Sequence, residues 1–119
     1  MKPTYKNIIA FLWTRDLPKA RKFYIEVLGL KKSFEADGWC ELGVPGANNA
    51  YLALNRWVKD EPIPENNYIT LGISDLTTFH QGLLDAGVKL KGDIIEFDQG
   101  MRMLKFFDPD GNIITVAEA

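Results

Sequence analysis

Ile8-Ile9-Ala10-Phe11-Leu12-Trp13 leads through Thr14-Arg15 into Asp16-Leu17-Pro18, and the stretch closes at Leu28-Gly29-Leu30. The first six residues are apolar and rich in β-formers, the pattern of a buried strand. Asp16 suits a helix N-cap, and Pro18 falls in the first turn, where its missing N–H costs nothing. Leu17, Ala20, Phe23, Tyr24, Val27 and Leu28 recur at helical spacing, and Gly29 suits a left-handed cap. The order returns later. Tyr68-Ile69-Thr70-Leu71-Gly72-Ile73 leads into Asp75-Leu76, and a helical stretch closes at Ala86-Gly87. The two Asp-Leu pairs lie 59 positions apart (16 to 75), half of a 119-residue chain. A repeat of that length predicts two similar modules that each bury one face.

Between the halves, short strands are expected at Lys32–Glu35, Trp39–Gly43 and Tyr51–Trp57. They are separated by the turn Ala36-Asp37-Gly38 and a loop over Val44–Asn49. Lys59–Asn67 carries Pro62 and Pro64 among Asp60, Glu61 and Glu65, and reads as a linker. Module one is therefore placed at 1–58 and module two at 68–119, within a single domain. In module two a helix over Leu76–Ala86 is followed by three short strands. The last two flank Asp108-Pro109-Asp110-Gly111-Asn112, a type I turn with a following bulge. Each half reads β-α-β-β-β, an α+β architecture.

The bulk numbers narrow the function. Hydrophobic residues make up 46% and charged residues 25%, with a net charge of −2, ordinary values for a globular chain. No basic stripe appears, so nucleic acid is not an expected partner. No apolar run reaches the ~20 residues that cross a bilayer, and the N-terminus lacks a signal-peptide core. Cys40 is the single cysteine, which excludes an internal disulfide. The cytoplasm is the simplest compartment.

Asp16-Leu17, Lys22-Phe23-Tyr24 and Val27-Leu28-Gly29-Leu30, together with Phe106-Phe107-Asp108-Pro109-Asp110-Gly111-Asn112, resemble the vicinal oxygen chelate superfamily. This is the glyoxalase/bleomycin-resistance/dioxygenase fold, and the resemblance covers essentially the whole chain. It implies tandem βαβββ modules whose curved mixed sheets enclose a cavity, commonly in a homodimer. It also implies positions for a divalent metal. One lies seven residues before the Asp that opens each helix, at Ile9 and Tyr68. Another lies seven after Asp108, at Thr115, and one falls on the fourth strand near Ala53. A divalent cation wants imidazole or carboxylate, and none of these four supplies it. The resemblance extends to the fold and stops at the metal, so no metal and no cofactor are expected. In the glyoxalase I branch a basic residue on the first strand meets the glutathione carboxylate; the matching position here is Trp13.

Strand side chains alternate, so the implied metal positions define an inward set. It comprises Phe11 and Trp13 beside Ile9, Tyr51 and Asn55 beside Ala53, and Tyr68 with Thr70. Ile113, Thr115 and Ala117 follow on the last strand. Pairing Asp108 with Asn112 across the turn sets Lys105 opposite Thr115, with Met103 alongside. Trp39 and Glu41 join by resemblance. Cys40, between them, then faces into packing. His80 falls inside the second helix, away from the cavity strands.

The expected ligand-binding set is Phe11, Trp13, Trp39, Glu41, Tyr51, Asn55, Tyr68, Met103, Lys105 and Thr115, with no catalytic residue assigned. Such an aromatic lining suits flat rings or cations. It equally suits rings that fill the space a metal and substrate occupy elsewhere. Lys105 has Glu41, a ligand carboxylate or water at the rim as alternative partners. The expected function is metal-free binding of an aromatic or amphipathic molecule, in the manner of the bleomycin-resistance branch, with a homodimer as the expected assembly. Two alternatives stand beside it: a superfamily lyase, isomerase, dioxygenase or thiol transferase with a non-standard site, and a structural or regulatory homodimer with a filled cavity. Pairing of modules within one chain or by exchange between subunits is left open by the linker.

Overall fold

Asp16 and Asp75 carry the repeat into three dimensions. Asp16 sits at φ −134°, ψ 88° and accepts from the Lys19 amide at 3.1 Å. Asp75 sits at φ −136°, ψ 87° and accepts from the Thr78 amide at 3.0 Å. Each carboxylate satisfies an N–H that the first helical turn leaves unpaired. Glycine closes both helical stretches with positive φ, +77° at Gly29 and +72° at Gly87, a region any Cβ disfavours.

The computed structural model describes residues 2–65 and 68–118. The chain divides into two compact units, Met1–Pro64 and Glu65–Ala119. The last residues of the expected linker, Asn66 and Asn67, lie outside the described residues.

In the first unit β1 (Ile8–Thr14) leads to α1 (Leu17–Lys22), which passes into a π-helical turn over Phe23–Val27. Then come β2 (Lys31–Ala36), β3 (Trp39–Gly43) and β4 (Ala50–Arg56). The four-stranded sheet has the order β1-β4-β3-β2. β1 and β4 run parallel and the other pairs antiparallel. Alternation sorts the side chains. Leu12, Cys40, Leu42, Leu52 and Leu54 are buried together with Leu17, Ala20, Tyr24 and Leu30 of the α1 segment. Each such leucine contributes roughly 1.5–3 kcal/mol by leaving water.

The π-turn corrects the expected continuous α-helix. Asp16 to Gly29 spans one residue more than Asp75 to Gly87. The extra residue is absorbed where the Leu28 amide reaches back five residues to the Phe23 carbonyl, at 3.3 Å. A single wide turn is the usual way a helix takes up such an insertion. Leu30 then closes the end by donating to the Tyr24 carbonyl at 3.0 Å.

The second unit contains β5 (Thr70–Gly72), α2 (Leu76–Asp85), β6 (Ile95–Glu96), a 3-10 turn at Asp98–Gly100, β7 (Arg102–Phe107) and β8 (Ile113–Glu118). Its four-stranded sheet has the order β5-β8-β7-β6, again with one parallel pair, β5 with β8. Leu76, Leu83, Leu104, Phe106, Ile114 and Val116 form its core. Glu118 fastens helix to sheet: it accepts from the Leu76 amide at 2.6 Å and pairs with Arg102 at 2.9 Å. The Leu76 amide, then Arg102, hold its carboxyl below the usual carboxylate range.

One expected strand is shorter than foreseen, and another is shifted by one residue. β5 begins at Thr70 and pairs with β8 only over Thr115 to Ala117, although β8 itself starts at Ile113. β4 begins and ends one residue earlier than expected, at Ala50 and Arg56, and the Trp57 amide still donates to the Thr14 carbonyl at 2.8 Å. The turn between β7 and β8 takes the expected form. The Asp108 amide donates to the Asn112 carbonyl at 2.9 Å, Gly111 has φ +85°, and Lys105 lies opposite Thr115.

Candidate functional site

The helix covers one face of the first sheet, and the other face is aromatic. Strand register places Phe11 beside Ala53, Trp13 beside Asn55 and Ile9 beside Tyr51. From β3, Trp39 pairs with Asn55 and Glu41 with Ala53. Phe11, Trp13, Trp39, Glu41, Tyr51 and Asn55 therefore share one side of one sheet. The rings meet in a row. Phe11 packs edge-on against Trp13 at 5.2 Å, Phe11 tilts against Trp39 at 5.9 Å, and Trp13 meets Trp57 edge-on at 5.0 Å. Such edge and tilted pairs are the favoured geometry of aromatic quadrupoles. Phe11 remains 42% exposed, and Ile9 is also exposed.

Phe34 belongs to the same face and was not foreseen. It lies opposite Glu41 and is 53% exposed. The signal was available: a hairpin that pairs Ala36 with Trp39 pairs Phe34 with Glu41 two steps on.

One end of the row is closed by the segment after β4. Trp57 donates its indole N–H to the Glu61 carbonyl at 2.9 Å. Arg15 donates to the Lys59 carbonyl at 3.1 Å and also to the Glu61 carbonyl. Lys59 Nζ stands 5.4 Å from the centroid of the Trp57 ring. At the other end Trp39 Nε1 donates to Glu41 Oε2 at 2.8 Å.

The remaining expected residues belong to the second unit. Met103, Lys105 and Thr115 share the sheet face opposite α2, where Lys105 Nζ donates to Thr115 Oγ1 at 3.0 Å. Lys105 is half-buried. Tyr68 is displaced from the expected strand: it precedes β5 and is 87% exposed.

The family's metal positions carry the wrong chemistry. In the first unit they are Ile9 and Ala53, both hydrocarbon. In the second, Thr115 is 3% exposed and its hydroxyl oxygen already receives the Lys105 ammonium, whose charge repels a cation. Tyr68 lies off the strand. Among the described residues no cluster of three or more His, Cys, Asp or Glu side chains could hold a metal ion. These residues do not fit a divalent centre of the superfamily type. His80 is half-buried within α2.

A cleft of about 620 Å³ opens elsewhere on the first unit, lined by Arg15, Arg21 and Arg56 with Asp16, Glu35 and Asp37. None of the expected ligand-binding residues lines it. Its charges are internally matched, with Arg21 to Glu35 at 2.8 Å and Arg56 to Asp37 at 3.4 Å.

Cys40 points away from the aromatic face and is fully buried. Burial, then a hydrogen bond to Glu35, pushes its thiol from 9.0 up to about 11. The thiol that packs here is therefore protonated. Below about pH 9 folded and unfolded chains both keep this proton. Between 9 and 11 only the folded chain does, so this stability is lost as pH rises through that window. Two results are expected: no reaction with a disulfide reagent at pH 8 until denaturant is added, and a Cys40→Ala variant whose Tm falls less than wild type between pH 8 and 10.5. Native-state labelling at the rate of a free thiol would contradict the first.

Residues 7–116 match the Glyoxalase/Bleomycin resistance protein/Dioxygenase superfamily. The chain belongs to that superfamily. It is similar over 98% of both chains to a member of the superfamily from Sphaerobacter thermophilus DSM 20745, with 27% identity and a TM-score of 0.84. TnmS3, an antibiotic binding protein from Streptomyces sp. CB03234, shares 24% identity over 99% of this chain and 98% of its own, with a TM-score of 0.82. A lactoylglutathione lyase from Agrobacterium tumefaciens shares 18% over 98% and 96%, with a TM-score of 0.76. No curated protein matches the sequence significantly. Among the described residues, no helix is long and apolar enough to cross a membrane.

Proposed function

We propose that this chain binds a small aromatic or amphipathic molecule on the aromatic face of its first unit, without a metal. The observation that carries the proposal is the Phe11–Trp13–Trp39 row, half-exposed on the sheet face that α1 does not cover. Contiguous exposed apolar surface with polar groups at its edge is characteristic of a binding site. Asn55 and Glu41 supply those polar groups. The hydrocarbon character of Ile9 and Ala53 supports the metal-free part, as does the ammonium at Thr115. A second line of support is that one protein of this fold, TnmS3, binds an antibiotic; at that identity the likeness extends to the fold alone, so the ring row bears the weight.

All three tryptophans, at 13, 39 and 57, belong to the first unit, so indole emission reports on this face. Metal-stripped protein would be titrated with Zn²⁺, Ni²⁺, Mn²⁺ and Fe²⁺, and separately with N-phenyl-1-naphthylamine and a set of aromatic drugs. The expected result is a saturable change in tryptophan emission and a raised Tm with an aromatic compound, and no shift with the metals. A clear metal-dependent shift would overturn the metal-free reading.

A further inference from the structure

We propose that the molecule held on this face is an organic cation and that Glu41 is its counter-charge. The inference rests on the binding role just argued and names the chemical class of its ligand.

Glu41 is the acidic group that strand register sets among the rings, opposite Ala53 on β4 and opposite Phe34 on β2. It is half-buried. Its fixed partner is neutral: Trp39 Nε1 donates to Oε2 at 2.8 Å. Three other carboxylates of the unit have a cation beside them. Glu35 lies 2.8 Å from Arg21, Asp37 lies 3.4 Å from Arg56, and Glu26 lies 4.0 Å from Lys22. Among the described residues no Lys or Arg is ion-paired to Glu41. A partly desolvated carboxylate is costly without a counter-charge, and ring faces within about 6 Å attract a cation. Both demands are met by one positively charged group seated between Phe11, Phe34 and Trp39.

The chain's own cations mark where that group sits. Lys59 already occupies the Trp57 ring, and Arg15 is tied to the carbonyls of Lys59 and Glu61. These charges hold the Trp13–Trp57 end, so the free end is that of Trp39 and Glu41. Lys31, opposite Gly43 on the same side of the sheet, is exposed. The cation is organic, because Ca²⁺ or Mg²⁺ requires a full shell of oxygens. A single carboxylate with ring walls suits an alkylammonium or an N-alkylated heteroaromatic ring instead.

The test uses probes of one shape and opposite charge. Wild-type protein and Glu41→Gln would be titrated calorimetrically with tetraphenylphosphonium, with tetraphenylborate and with neutral N-phenyl-1-naphthylamine. Gln keeps an acceptor for Trp39 Nε1 and removes only the charge, and matching Tm values would verify folding. Wild type is expected to bind the phosphonium at least about tenfold more tightly than the borate, with Glu41→Gln losing about tenfold for the phosphonium and almost nothing for the neutral probe. Equal phosphonium affinity in both proteins, with the neutral probe still bound, would overturn the cation assignment and leave aromatic binding standing. Failure of all three probes to bind wild type would overturn both.

Discussion

Replacing Asp108 by alanine should destabilise the second unit by about 3 kcal/mol, and lower its Tm by about 10 °C. Asp108 is 5% exposed and organises the β7–β8 turn through its carboxylate. Oδ1 accepts from the amides of Asp110 and Asn112, both at 2.9 Å, and Oδ2 accepts from Asn112 Nδ2 at 2.9 Å. Asn112 is itself buried. Alanine removes one acceptor from its amide and one from its side chain, and the loss of an acceptor at a buried donor costs roughly 1–3 kcal/mol. The Asp110 amide, on a half-buried residue, regains water more easily. Asp108→Asn keeps one acceptor oxygen and should lose less than half as much. Far-UV circular dichroism in urea is the suitable measurement, because the tryptophans lie in the first unit and do not report on this turn. A midpoint shift at unchanged m is expected. A loss below about 1 kcal/mol would mean that the motif is dispensable for folding.

That turn also illustrates what the sequence makes legible. Pro109 fixes its own φ and Gly111 accepts the left-handed φ of +85° that the turn needs, so the hairpin register follows from local chemistry, and the Lys105–Thr115 pairing follows from the register. The Asp caps and left-handed glycines are legible for the same reason, since each is decided within a few residues. Cys40 is readable as a packing residue because alternation along β3 needs only its neighbours. Features set by a distant partner are less accessible. Tyr68 and Ile69 have the β-propensity of strand residues, yet β5 starts at Thr70, where its pairing with β8 begins. The π-turn escapes a periodicity argument, because Phe23, Tyr24, Val27 and Leu28 keep near-helical spacing whether or not one turn widens to absorb a residue. Phe34 is a different case, reachable from the Ala36–Trp39 hairpin. Which molecule the aromatic face accepts is least legible, since ring faces take many partners and specificity lies in where charge is placed.

Trp39 is the side chain whose loss should weaken binding most. Trp39→Ala is expected to raise the Kd for N-phenyl-1-naphthylamine by about 30-fold or more, some 2 kcal/mol. Two contributions converge on this ring. Its face extends the row at 5.9 Å from Phe11, and its N–H holds Glu41 at 2.8 Å. Trp39→Phe separates them, because it keeps most of the apolar face and removes the donor. A neutral probe should then lose only a few-fold, whereas a cationic probe loses more as the Glu41 carboxylate turns toward water. Trp57→Phe serves as the contrast. That ring packs on Trp13 and beneath Lys59 at the closed end of the row, so its substitution should change affinity less than about threefold. Calorimetry is preferable to emission here, since each variant removes a reporter indole. If Trp39→Ala bound the naphthylamine within twofold of wild type while remaining folded, the ligand would lie elsewhere. The row would then be packing surface, and exposed aromatic area without affinity is the signature of a face meant for protein.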